Sequence, residues 1–316
     1  MDAQLTRLAG RQGGVFSRRQ ALSCGYSPGQ IADRLGDGRW ERVRHGQYAA
    51  AVDLSATSAW DRRLIRHRLL VYAAVNSMRP GSVAVSHQSA LVLHGVATWG
   101  MDLAEAHLTR LSDQRSGPAA GVRHHRGLLA PADLTRLDGI LTTTPVRAVI
   151  EAACTASFES SVVAADDVSR RFENHRAEFD RLRNVTEFWP GSTTARRALA
   201  FRDPSAESVG ESRLRVLMHQ QGLPRPVLQA SFEDAAGFVG RVDFYFPELF
   251  TVVEFDGLLK YAGGSADVLV REKLREDRLR GLGLEVVRVT WSDLAAPDRV
   301  SAQIRLAFHR AHRAAA

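Results

Sequence analysis

Acidic residues in the last third of the chain stand where acids are costly. Asp243 interrupts the apolar run Arg241-Val242-Asp243-Phe244-Tyr245-Phe246, and Glu254 and Asp256 interrupt Thr251-Val252-Val253-Glu254-Phe255-Asp256-Gly257. A carboxylate inside a strand loses its hydration unless it is paired or holds a cation. Acids on two adjacent strands therefore point to a divalent-metal site. Side chains alternate across a strand, so Asp256 shares a face with Glu254, and the three carboxylates can approach one another.

The elements that would position them read clearly. Both runs are rich in β-branched and aromatic residues, and Pro247-Glu248 punctuates them like a hairpin loop. Upstream, Ser208 to Leu217 predicts an amphipathic helix, with Val209, Leu214 and Leu217 apolar and Glu211 placed to reach the strands. Downstream, Val270 to Arg280 is a charged helix that stops near Gly281 and Gly283, and Leu284 to Trp291 is a third strand. The order is helix, strand, strand, helix, strand. The chain's two lysines, Lys260 and Lys273, both fall between Glu254 and Asp277. Lysine is not interchangeable with the arginine used elsewhere, which favours a lysine role near the acids. The plainer reading of the charged helix is a solvated face with Glu272 to Arg275 and Glu276 to Arg280 pairs.

On Glu211, Asp243, Glu254-Phe255-Asp256-Gly257, Glu272-Lys273, Arg275 to Arg278 and Gly283 to Trp291, the chain resembles the PD-(D/E)xK nuclease superfamily, in particular its branch of very-short-patch-repair (Vsr)-like endonucleases. The resemblance covers about the last third of the chain. It implies a magnesium- or manganese-dependent phosphodiesterase, with Asp243 and Glu254 as metal ligands and Glu211 as a third acid. Such a metal would polarise the scissile phosphate and lower the pKa of an attacking water. Asp256 stands where the superfamily normally has a lysine, a departure that the Vsr-like branch shares. Lys273 or Lys260 would then stabilise the developing charge or orient water, and Tyr261 would position the strand.

Composition sets the frame. The chain has 316 residues, 45% hydrophobic and 24% charged, enough for two or three globular domains. No apolar run approaches the roughly 20 residues of a membrane helix, and no apolar signal core follows Asp2. Cys24 and Cys154 are far apart and lack metal spacing, which fits a reducing cytoplasm. Net charge is +7, and over residues 1 to 68 twelve arginines face six acids. A basic excess concentrated at the front is the footprint of a polyanion binder.

That front segment reads as a winged helix-turn-helix. Residues 2 to 9 form a helix, Ser17 caps a second one to Cys24, and Ser27-Pro28 opens a third through Leu35 after a turn at Gly25-Tyr26. Trp40 to Ala49 alternates like a two-stranded wing around Gly46. In such a motif the third helix enters the major groove. Gln30, Asp33 and Arg34 would face DNA, with Gln30 and Arg34 able to read adenine and guanine edges. Arg39, Arg42 and Arg44 would contact phosphate, and Arg18 and Arg19 complete the basic set. Gly14 to Ala21 and Trp40 to Tyr48 resemble the N-terminal domain of abortive-infection type IV antitoxins.

The middle offers helices around Ala56 to Met78, Ser86 to His94, Pro145 to Cys154, Ser157 to Arg171 and Glu173 to Asn184, with strands near Gly121 to Gly127 and Asp138 to Thr144. His87 and His94 lie two helical turns apart and could share a metal, although local hydrogen bonding is the commoner fate of histidines. His124 and His125 face opposite ways in a strand. This arrangement resembles the segment between antitoxin-like and nuclease-like domains of actinobacterial proteins.

The expected fold is mixed α/β (α+β). A winged helix spans 1–52, a middle α/β region 53–184, a linker 185–204, and a restriction-endonuclease-like mixed sheet flanked by helices 205–316. The expected function is DNA binding with metal-dependent hydrolysis of DNA phosphodiesters. The alternative is a repressor or antitoxin whose nuclease fold is inactive. Expected partners are DNA and a protein of a defence, toxin-antitoxin or repair system, with no membrane. A homodimer stays open.

Overall fold

The computed structural model describes residues 1–111, 117–119, 121–172, 175–257 and 266–315. The fold is mixed α/β, with three sheets among the described residues, and it divides into two compact units, Met1–Ala164 with Phe172–Ala200, and Ala165–Arg171 with Phe201–Ala316. No described helix is long and apolar enough to cross a membrane.

The first unit opens with α1 (Ala3–Gly10), β1 (Val15–Ser17), α2 (Arg18–Ser23), α3 (Pro28–Gly36), β2 (Trp40–Arg44) and β3 (Gln47–Ala50), a winged-helix order with strands arranged β1-β3-β2. Local chemistry fixes each start. Asp2 accepts the Gln4 and Leu5 N–H groups, and Ser17 with Gln20 and Ser27 with Gln30 form reciprocal capping boxes. Gly46 takes a left-handed φ of 70° at the wing turn. Leu5, Phe16, Ile31, Trp40 and Tyr48 form the core, and Trp40 meets the rings of Phe16 and Tyr26 at 4.7 and 5.0 Å.

The chain continues through α4 (Ala59–Asn76), β4 (Val83–Val85), α5 (His87–Leu93), β5 (Ala106–Arg110), β6 (Gly117–Ala119), β7 (Val122–His125), β8 (Leu134–Leu137), β9 (Ile140–Thr143), α6 (Pro145–Ala153), α7 (Phe158–Arg171, of the first unit up to Ala164), α8 (His175–Val185) and α9 (Ser192–Phe201, of the first unit up to Ala200). The sheet order is β6-β7-β5-β4-β9-β8. Its deepest charge is Arg147, whose guanidinium meets Glu151 at 2.8 Å and Asp133 at 3.3 Å and lies over the Trp189 ring. In the stretch expected to be linker, α9 buries Ser192, Ala195 and Ala198.

The second unit adds α10 (Val209–Gln220), β10 (Val227–Asp234), β11 (Gly237–Phe246), β12 (Thr251–Asp256), α11 (Ala266–Gly281), β13 (Glu285–Thr290) and α12 (Pro297–Ala315). Strands β10, β11 and β12 are antiparallel, and α11 carries the chain over so that β13 runs parallel to β12. Phe244, Phe246, Val253, Val287 and Val289 form one core with α10 and α12. Val252, Val286 and Tyr245 pack with Leu279 of α11 in another. At Gly210 a Cβ would fall 1.9 Å from Phe255 Cε1, so only glycine lets α10 settle on β12. Asp166, on the Ala165–Arg171 segment, is buried against Arg215 at 2.7 and 2.8 Å and also accepts from Ser212.

Arg278 of α11 grips Asp234, at the end of β10, through two hydrogen bonds of 2.6 and 2.7 Å, which pull the carboxyl from 3.8 to about 2. A depressed carboxyl stabilises the fold above its unfolded pKa and loses that contribution as pH falls through its folded one. Wild type should therefore melt above Asp234→Asn at neutral pH. The gap should close as pH drops from about 4 toward about 2. Calorimetric melts across that range check this, and a gap independent of pH would contradict it.

Candidate functional site

The strand registers place the predicted acids. β11 pairs with β12 through Phe244 and Val253, so the next step of that register sets Asp243 beside Glu254. β12 pairs with β13 through Glu254 and Arg288. Asp243, Glu254 and Arg288 thus stand in a row on one face of the sheet, the face that α11 covers.

What α11 lays over them is arginine. The Arg275 guanidinium donates to Glu254 Oε1, and the Arg288 Nε lies 4.0 Å from Oε2. Glu272 bridges the two arginines at 3.2 and 2.8 Å, and Glu276 takes Arg288 at 3.1 Å. Asp243 accepts the Phe255 N–H at 2.7 Å. Glu254 is only 8% exposed. Burial pushes its carboxyl up, Arg275 pulls it back down, and Asp243 and Glu272 push it up again.

The remaining predicted residues are dispersed. Glu211 is buried near the strands, with one carboxylate oxygen accepting from the Glu207 N–H at 2.8 Å and the Gln229 amide at 3.0 Å. Asp256 is half-buried at the end of β12, and Lys273 is exposed on α11. Lys260 and Tyr261 lie outside the described residues. The helix pairs expected on α11 are present, Glu272 with Arg275 and Glu276 with Arg280.

This donor set does not fit a magnesium or manganese ion. Magnesium takes roughly six oxygens in near-octahedral array. Here one Asp243 oxygen is held by the Phe255 backbone N–H, and both Glu254 oxygens face guanidiniums whose charge would repel the ion. Among the described residues, the side chains whose ligand atoms gather within 4.8 Å of one another as a group of three or more are His87, His107 and His125, none of them an acid of this sheet.

The basic surface of the winged helix is partly committed to its own fold. Arg18, Arg19 and Arg42 are exposed, as is Asp33. Gln30 uses its side-chain oxygen to accept the Ser27 N–H at 3.0 Å. Arg34 donates to the Gln30 carbonyl and lies 4.8 Å over Tyr26 and 5.6 Å over Trp40. Arg39 pairs with Asp37 at 2.5 Å, and Arg44 is half-buried. Arg42, with Arg63 and Arg66 of α4, lines a cavity of about 480 Å³.

Sequence reasoning missed Arg275 and Arg288 as partners of the central acid. Their signal was the alternation itself, since Arg288 interrupts an apolar strand as Glu254 does. Deleting Arg275 leaves Glu254 short of a partner in a mostly buried place. Arg275→Ala should cost about 1–3 kcal/mol, less than a fully buried pair because Arg275 keeps some solvent contact. Glu254→Gln in that background should recover part of the loss. Chemical denaturation of the two variants checks the order, and a double variant less stable than the single would contradict it.

Comparison with known proteins bears on the front of the chain. Residues 3–51 match a protein family described as "Transcriptional regulator, AbiEi antitoxin", the same residues that build the winged helix. Two uncharacterized proteins of Mycobacterium tuberculosis, MT2308 of strain CDC 1551 / Oshkosh and Rv2248 of strain ATCC 25618 / H37Rv, are each similar at 28% identity over 260 residues. The similarity covers 79% of this chain and 94% of each relative.

Proposed function

We propose that the chain is a DNA-binding regulator of the antitoxin type, whose C-terminal unit keeps a nuclease-like fold without cleaving DNA. The observation that carries the reading is the family match over residues 3–51, which falls on a folded winged helix. Exposed Arg18, Arg19 and Arg42 supply phosphate contacts, and α3 supplies the groove-facing element. Gln30 and Arg34 read bases after leaving their present partners. In this reading the work is done in the cytoplasm, beside a protein partner of toxin type, and pairing into a homodimer would set the spacing of half-sites.

The nuclease-like part of the reading draws support from the topology α10, three antiparallel strands, α11 and a parallel β13. A magnesium-dependent Vsr-like endonuclease is the second reading. It is favoured by Asp243 and Glu254 standing side by side on adjacent strands, with Lys273 on the helix above. Against it stand the arginines on Glu254 and the engagement of Glu211 elsewhere.

Binding of a random-sequence duplex, measured against salt, tests the regulator reading. A phosphate-dominated interface weakens steeply as salt rises, with a log–log slope of about 0.9 per phosphate neutralised. The variant Arg18→Ala/Arg19→Ala/Arg42→Ala should bind at least about tenfold more weakly and lose roughly three contacts' worth of that slope. Affinity and slope unchanged in a folded variant would remove the winged helix from the interface.

A further inference from the structure

We propose that His87, His107 and His125 form a binding site for a borderline divalent transition cation of the zinc or cobalt class, in the first unit and independent of any DNA contact. The three residues come from the start of α5, from β5 and from β7, and one ring nitrogen of each lies within 4.8 Å of the others. β5 and β7 are parallel and pair Thr109 with His125, so His107 and His125 share a face one pleat apart. His124 points to the opposite face. His94 is spent on the Thr143 carbonyl, which its Nε2 meets at 2.8 Å.

The geometry needs little to close on an ion. His125 Nε2 and His107 Nδ1 are 2.9 Å apart, whereas two imidazoles on a tetrahedral zinc hold their nitrogens about 3.3 Å apart, so the pair spreads by about 0.4 Å. The His87 ring lies stacked on His125 at 3.6 Å and turns off that stack to bring its lone pair to the ion. Imidazole nitrogens select this class of cation over magnesium or calcium.

The surroundings resemble those of a ligand set held in place. The Gln88 amide N–H donates to His107 Nε2 at 2.8 Å and to the Asp102 carbonyl at 3.0 Å, so without an ion the His107 proton lies on Nδ1 toward His125, and ligation through Nδ1 moves it to Nε2. The His87 N–H donates to Glu151 Oε2 at 3.2 Å, and Arg147 fixes Glu151. His87 holds a left-handed φ of 54°, a conformation that costs a non-glycine residue about 1–3 kcal/mol and concentrates at functional sites. His107 and His125 line a cavity of about 680 Å³, which gives the ion a way in and a position for a further ligand.

The full-length protein, stripped with chelator, is titrated with Co2+ alone and then Zn2+, following the visible absorption of imidazole-bound cobalt and bound metal by mass spectrometry. About one Co2+ per chain, displaced by Zn2+, is expected. His107→Gln and His125→Gln should each weaken Co2+ binding by more than about 100-fold. Asp243→Ala should change nothing. Absence of the cobalt spectrum in wild type overturns the site whatever the variants do, as does binding that survives both histidine substitutions in chains shown to be folded by circular dichroism.

Discussion

Burying a carboxylate in this protein is answered mostly by arginine, while Glu211 is met by the Glu207 N–H and the Gln229 amide. Glu254 has Arg275 and Arg288, Asp133 and Glu151 have Arg147, and Asp166 has Arg215. A guanidinium suits the task because it stays charged and offers several donors in one plane, so one arginine can serve two acids, as Arg147 does. A lysine would bring a single strongly hydrated point charge. The folds of both units therefore hang on pairs that would be costly to break and that occupy the lone pairs of their acids.

That constraint decides how the acidic row of the second unit is read. Asp243 and Glu254 are neighbours because the β11 to β12 register makes them so, and a bare pair there would invite a cation. The charge of the ion is instead supplied from within, by Arg275 of α11 and Arg288 of β13. The same economy appears in the winged helix. There Arg34 serves Tyr26 and Trp40 while Arg18, Arg19 and Arg42 stay outside, so the basic surface divides into arginines that hold the fold and arginines that are free to meet phosphate.

Much of this was legible in the sequence. Helix caps at Ser17 and Ser27 marked real starts, because capping is decided within four residues. The strands at 241–246 and 251–257 were visible from their β-branched and aromatic runs. Short strands were not: β1 and β4 have three residues each, too few for a period, and β4 is buried throughout. The helix α9 hid behind Trp189-Pro190-Gly191, which reads as a break although the chain resumes a helix two residues after the proline. Partners distant in sequence were the hardest to see. The histidine group depends on β5 lying beside β7, and the arginines on Glu254 depend on a crossover helix, and neither pairing leaves a local pattern.

The most direct measurement is incubation of the purified full-length chain with supercoiled plasmid and mismatched duplexes in magnesium or manganese, with DNA binding recorded in the same samples. The account predicts that DNA is bound and stays intact. Cleavage that disappears in both Asp243→Ala and Glu254→Ala would contradict it, and would make the acidic row a working metal nuclease.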